Sequence, residues 1–512
     1  MMMLRYPSNS KEPERKDIRN PALTIFGNRV HLDQTLYEYL LEFLLVFSSA
    51  KNEDGSGKMS FHAGEPLSYY VEPRIGLRRF IFYEHARKNV RIKSDEDAYA
   101  QIRDIIKRHV KGVATESTKE VFVDSIQDLF RGYSAVLKKR SWCAQSLLPL
   151  CPEMIFCEEM PNDSERTKKH CGMHDDISDD YECESSTAYC DSGFDCKRHN
   201  FFARGGELYY LHLMQALEGD PESRVDLENK LRHLLTSKSH QFSQLASWIQ
   251  KIWVEEMHIA PSDLIEKMTM GYLPQGAYLE DGSLAVRELR CYLSNDLHPV
   301  KRIELLTQGV MLQILRMLSD RASQYTGRDR AIWIVDMRGT KRDPTIRQLS
   351  ALSYTNLNEI FTDALTRTLA DQYSDDPGEQ YKTFVMGRKE SVDLFRARGK
   401  DIKLIIPARG NYERFSISED IARFLVLSII KPGDKMDLDT FLDELYHHFR
   451  MVIGPIEYQK SSSEMGVSTA LSDSFNNNRY AFQEFLKSIG CLRDLSDATS
   501  IVVNPYEEAE LR

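Results

Sequence analysis

The 512-residue chain has no uninterrupted apolar run of membrane-spanning length, no complete phosphate-binding glycine loop, no catalytic signature, no CxxC pair and no surplus of positive charge. Each absence removes a class of function. The longest apolar stretch, residues 36–47 (LYEYLLEFLLVF), is broken by Glu38 and Glu42 and falls short of the roughly 20 residues a bilayer requires. It predicts a buried helix and no membrane partner. Gly55-Ser56-Gly57-Lys58 imitates a phosphate loop, but that pattern needs glycine where Asn52 stands and a hydroxyl where Met59 stands, so no nucleotide is expected. HExxH, GxSxG and EF-hand patterns are missing, which disfavours the common hydrolase routes. Nine cysteines are too sparse for a disulfide framework, and residues 1–19 show no apolar core followed by a cleavage site. The expectation is a cytoplasmic protein with reduced thiols.

What the chain does have is one strongly biased segment. Thirteen acids face three bases between residues 151 and 196, so this stretch holds the whole formal net charge of −10 and the remainder balances. Six of the nine cysteines and three of the fourteen histidines fall within residues 151–199. Zinc takes four thiolate or imidazole ligands, and Cys196-x2-His199 has the spacing of half a site. Cys151 and Cys157 are the candidates for the other half, although their five-residue gap is wide and His170, Cys171, His174, Cys183 and Cys190 compete. A structural zinc would contribute roughly 10 kcal/mol of folding free energy to a segment nearly devoid of apolar periodicity. The rival readings are an acidic insertion with Cys151 and Cys157 buried beside residues 147–150, and a redox-sensitive thiol cluster.

Periodicity and turn signals predict a mainly α, multidomain chain with small α/β sections and a C-terminal winged helix-turn-helix. Residues 1–145 read as an α+β domain with a hairpin at 23–32, a helix at 35–49, extended elements at 68–92 and helices at 95–110 and 117–139. Residues 146–199 are the Cys/His insertion. Residues 200–325 read as helical throughout, including 261–270. Residues 326–410 read as a strand (331–336), a helix interrupted near Ser353 and a second strand. Residues 411–512 combine helices at 418–430, 437–449 and 478–489 with a terminal hairpin, the winged-helix pattern.

Three groups are candidates for chemistry. Arg74, Arg78, Arg79, Arg87, Lys88 and Arg91, set among aromatics, could neutralise phosphates, as could Arg479, Lys487 and Arg493 of the winged helix. Asp336 at a strand end, with Lys341 and Glu359, could hold a divalent ion for phosphodiester cleavage, against the commoner role of solvated turn residues. In the string 199–207 (HNFFARGGE), Arg204 and two glycines could cradle an anion at a helix start, or form an entry turn with Arg204 facing Glu207.

The run HNFFARGGELYYLHLMQAL (199–217), together with GKDIKLIIPARG and RFSISEDIARFLVLSII, resembles uncharacterised large proteins of bacterial phage-defence operons, which are encoded beside ATPases or nucleases. The resemblance implies an accessory subunit of a multi-protein complex, with DNA or an ATPase as partner, and transfers no catalytic residue. The leading expectation is therefore a non-enzymatic DNA-associated or scaffolding subunit of a defence complex. A divalent-metal nuclease at Asp336 and a purely protein–protein adaptor are the alternatives.

Overall fold

The computed structural model describes residues 5–8, 20–27, 30, 32, 34–62, 68–72, 74–86, 93–112, 115–136, 142, 145–156, 159–161, 199–201, 205–236, 240–259, 265–337, 344–372, 376–461, 469–496 and 499–510. Helices dominate them: α1 (Pro21–Phe26), α2 (Leu36–Ser48), α3 (Ile75–Phe82), α4 (Lys93–His109), α5 (Glu116–Arg131), α6 (Gly205–Ala216), α7 (Pro221–Thr236), α8 (His240–Glu256), α9 (Gly282–Leu293), α10 (Pro299–Thr326), α11 (Pro344–Gln372), α12 (Pro377–Lys389), α13 (Val392–Asp401), α14 (Glu419–Ile429), α15 (Leu438–Phe449), α16 (Pro455–Ser461) and α17 (Thr469–Ser488). The strands are short: β1 (Arg5–Tyr6), β2 (Ser68–Val71), β3 (Ser134–Val136), β4 (Ser146–Leu147), β5 (Glu159–Pro161), β6 (His199–Phe201), β7 (Glu266–Thr269), β8 (Leu273–Pro274), β9 (Trp333–Ile334), β10 (Ile405–Ile406), β11 (Arg414–Phe415), β12 (Lys435–Asp437), β13 (Met451–Val452), β14 (Leu492–Ser496) and β15 (Thr499–Val503). Among the described residues no helix is long and apolar enough to cross a membrane. The chain divides into two compact units, one made of residues 1–40, 205–231 and 271–512 and the other of 41–204 and 232–270. Neither unit is a single stretch of chain.

In the second unit, residues 68–92 depart from the extended reading. Among the described residues of this stretch only β2 is a strand, paired antiparallel with β7 from Ser68↔Thr269 to Val71↔Glu266, and residues 75–82 form the buried helix α3. A glycine is required there by a close approach, because a Cβ on Gly76 would stand 2.3 Å from the Trp253 indole of α8. The strand β7 likewise stands at residues 266–269, within the helix expected over 261–270. Gln127 of α5 donates to the Phe80 carbonyl and the Tyr99 hydroxyl, while Arg103 of α4 meets Glu120 and Asp124 of α5, so α3, α4 and α5 are held by named contacts. The β5–β6 ladder sets Pro161 opposite His199.

The first unit is organised around α10. Pro299 opens it at the first turn, Gly327 closes it in the left-handed conformation at φ 63°, and 19 of its 28 residues are buried. Residues 21–26 form α1 instead of half a hairpin: Asn20 caps it by accepting from the Ala22 N–H, Pro21 starts it and left-handed Gly27 ends it. Helix α11 runs without interruption through Ser353. Its serines dock strands: Ser350 Oγ accepts from Phe415 N–H, and Ser353 Oγ accepts from Ile334 N–H. β9 pairs in parallel with β13, Val335 bridges in parallel to Phe415, and β11 pairs with β10. Asn478 of α17, fully buried, donates to the carbonyls of Val335 and Ile453 and accepts from Met337 N–H, each at 2.9 Å. The C-terminal elements follow as α14, β12, α15, then β13 and α16, then α17, β14 and β15, with the sheet ordered β12-β15-β14. The expected terminal hairpin is β14–β15, and β12 is a third strand that adds to it.

Gly309 of α10 packs under Phe424 of α14, where a Cβ would fall 2.0 Å from the ring. Helix propensity favours Gly→Ala by about 1 kcal/mol, but overpacking at this site costs about 1–3 kcal/mol. Gly309→Ala is therefore expected to lower the denaturant midpoint. An unchanged or raised midpoint would contradict the α10–α14 packing.

Candidate functional site

Arg78 and Arg79, expected to meet phosphates, are each 1% exposed. Arg78 lies over the Phe156 ring at 5.0 Å and Arg79 over Trp142 at 4.7 Å, so both guanidiniums act inside the core. Arg74 is half-buried and donates to the Pro152 carbonyl, while Arg87, Lys88 and Arg91 lie outside the described residues. In the C-terminal region Arg479 is bound to Asp439 of α15 at 2.6 Å and Lys487 to Asp494 of β14 at 2.6 Å. Arg493 is exposed.

Of the three nuclease candidates, the two described residues, Asp336 and Glu359, are not brought together. Asp336 is 3% exposed and its carboxylate pairs with Arg414 at 2.7 Å. Its N–H and Ser350 Oγ both reach the Phe415 carbonyl, whereas Glu359 is exposed nine residues farther along α11, about 13 Å away at the helical rise. Lys341 lies outside the described residues. In the anion-cradle string Arg204 lies outside the described residues, a Cβ on Gly205 would be 2.7 Å from the Tyr39 ring, and Glu207 accepts from Gly271 N–H. Gly205 serves packing. Of the zinc candidates, Cys157 and Cys196 lie outside the described residues, and for His199 only its backbone place in β6 is described. Cys151 is buried, and burial with Glu153 beside it pushes its thiol up to about 12. Among the described residues no three His, Cys, Asp or Glu side chains gather for a metal.

A polar centre that pattern reading missed lies within the first unit. Arg316 of α10, with its side chain 2% exposed, donates through Nη1 to Glu288 Oε1 of α9 and to the His448 carbonyl, both at 2.9 Å. Glu288 also receives Gln313, and its Oε1 lies 2.5 Å from His448 Nδ1, whose other ring nitrogen is 3.0 Å from Glu444. Burial opposes the charge on Glu288, but Arg316 and His448 hold its carboxyl below the ordinary value. Beside this chain, Arg330 Nη2 meets both Asp281 oxygens at 2.8 Å and Asp320 at 2.6 Å. Burial pushes Asp320 up to about 6 against the pull of Arg330, while Arg316 and Arg330 keep Asp281 low. His212 of α6, 1% exposed, is pulled down to about 4, first by burial and then by Arg316. His212, Asp281, Arg316, Asp320 and Arg330 line one cleft of about 160 Å³.

No protein-family model, curated protein or solved structure matches the chain. Function must therefore be read from the residues themselves. The one sequence signal for this centre is Arg316 and Asp320, four apart in the apolar run VMLQILRMLSD, where charges require partners.

The pH windows of the two shifted groups are opposite. A histidine held at about 4 against an ordinary 6.5 destabilises the fold as pH falls through that interval. A carboxyl raised to about 6 from 3.8 destabilises it as pH rises between those values. Between pH 7 and pH 5 the His212 effect amounts to about 2 kcal/mol. His212→Leu is expected to lose about that much less stability than the wild type over this interval in denaturant melts. Parallel pH profiles would contradict the buried neutral imidazole.

Proposed function

We propose that this chain is a non-enzymatic, protein-binding subunit of a multi-protein complex, and that residues 411–512 act as a winged helix docking onto a basic surface of a partner. The observation that carries the reading is charge on that region: ten Lys and Arg stand against seventeen Asp and Glu between residues 411 and 512. An acidic surface repels the phosphate backbone and attracts a basic protein face. The order helix, strand, helix, helix, hairpin, with β12 beside β15, supports the winged-helix assignment. Helix α17 would be the presented helix, with Asn477, Tyr480, Glu484 and Lys487 exposed along it. The pairing of Arg479 and Lys487 with acids of the same region argues against their use on phosphate. The implied partner class is the ATPase or nuclease encoded beside accessory proteins of the phage-defence kind. A structural zinc on Cys151, Cys157, Cys196 and His199 belongs to the proposal as the device that would order the acidic insertion.

Two readouts on the full chain test this. Duplex DNA anisotropy at physiological salt is expected to show no binding, and tagged protein from its native cells is expected to retain a stoichiometric partner after nuclease digestion. Combining Tyr480→Ala with Glu484→Lys should release that partner. Tight duplex binding that weakens steeply with salt, and further on Arg493→Ala, would instead establish the DNA-contacting reading.

A further inference from the structure

The cleft around Arg316 has features of a binding site that the adaptor reading leaves unused. It is lined by two side chains more than nine-tenths buried that each carry polar atoms without a protein partner. Arg316 spends Nη1 on Glu288 and the His448 carbonyl, while its Nε and Nη2 have no hydrogen-bond partner. Both ring nitrogens of His212 are likewise without one. The neighbouring Arg330 differs, since it bonds Asp320 through Nε and both Asp281 and Asp320 through Nη2. Buried donors left unbonded are destabilising, so a pair of them at one cleft points to a ligand that accepts.

The chemistry of that ligand follows from shape and charge. Nε and Nη2 form one edge of the planar guanidinium, a fork that matches the two oxygens of a carboxylate. Four guanidiniums (Arg316, Arg321, Arg328, Arg330) and three carboxyl groups (Glu280, Asp281, Asp320) line the cleft, and carboxylates outside the lining, Glu288 on Arg316 and Asp363 on Arg328, leave no positive surplus. That balance disfavours a dianion such as phosphate, and leaves the planar fork of Arg316, not net charge, as the element that would hold a monoanion. A volume of about 160 Å³ equals roughly five water molecules at about 30 Å³ each, room for an acid of a few heavy atoms. Stacking of Arg316 on the Phe449 ring at 4.8 Å and its bond to Glu288 fix the fork in advance of binding.

We propose that this cleft binds a small monocarboxylate, its two oxygens on the Nε–Nη2 edge of Arg316 and His212 supplying a further donor. The site is independent of the partner surface on α17, so either assignment can fail without the other.

The test titrates the full chain with sodium acetate, with sodium chloride at matched ionic strength and with inorganic phosphate, following the thermal midpoint and the heat of binding. Acetate is expected to give a saturable rise that chloride does not. Arg316→Lys keeps a cation opposite Glu288 but removes the fork, and should weaken acetate binding by about tenfold or more. His212→Leu leaves the Arg316–Glu288 pair intact and should weaken it severalfold, which keeps the test decisive if Arg316→Lys fails to fold. An acetate effect no larger than that of chloride, an equal effect in a folded variant, or saturable phosphate binding in place of acetate would overturn the assignment.

Discussion

A guanidinium buried in the middle of the long core helix α10 is the constraint on which the first unit depends. Removing Arg316 from water is tolerable only if its charge is matched, and Glu288 supplies the match from α9 while the His448 carbonyl supplies a second acceptor from α15. Because Glu288 also takes Gln313 and His448, one carboxylate fixes three helices in register. A displacement of α15 relative to α10 would strand a buried charge. Replacing a single partner of such a pair typically costs about 3–5 kcal/mol, far more than the loss of one surface ion pair.

From α15 the constraint passes into the C-terminal region. That helix runs directly into β13, which lies parallel to β9, and β9 continues through Val335 to β11. Strands of two residues have little stability of their own, so side chains from the helices complete the arrangement: Ser350 and Ser353 from α11 and Asn478 from α17 bond to strand amides and carbonyls. The acidic surface of residues 411–512 is therefore presented by elements whose inner faces are tied to residues 333–337. If α17 is the docking helix proposed above, a helix held this way would lose little freedom on binding.

Long, capped helices were the legible part of this fold. The apolar stripes of α4, α10, α14 and α15 repeat at helical spacing, and the hairpin β14–β15 announces itself by two apolar runs around Ser496 and Asp497. Short elements were misread where local and tertiary signals conflict. Residues 75–82 look extended because Phe80, Ile81 and Phe82 favour strands and Gly76 weakens a helix, yet packing under Trp253 makes the helix. The same conflict hid the site. Six cations among aromatics look like a phosphate-binding face, but Phe156 and Trp142 take two of them into the core. Arg316 and Asp320 stand in an apolar run with partners 28 and 10 residues away, a separation that no local pattern reveals.

The most direct test of this account is a double-mutant cycle on the buried pair, using Arg316→Met, Glu288→Gln and the double variant in equilibrium denaturation of the full chain. If the pair organises the unit, each single change is severe and the double variant recovers much of the loss, a coupling of at least about 2 kcal/mol. Additivity within about 0.5 kcal/mol would show that the two side chains act independently and would contradict the account.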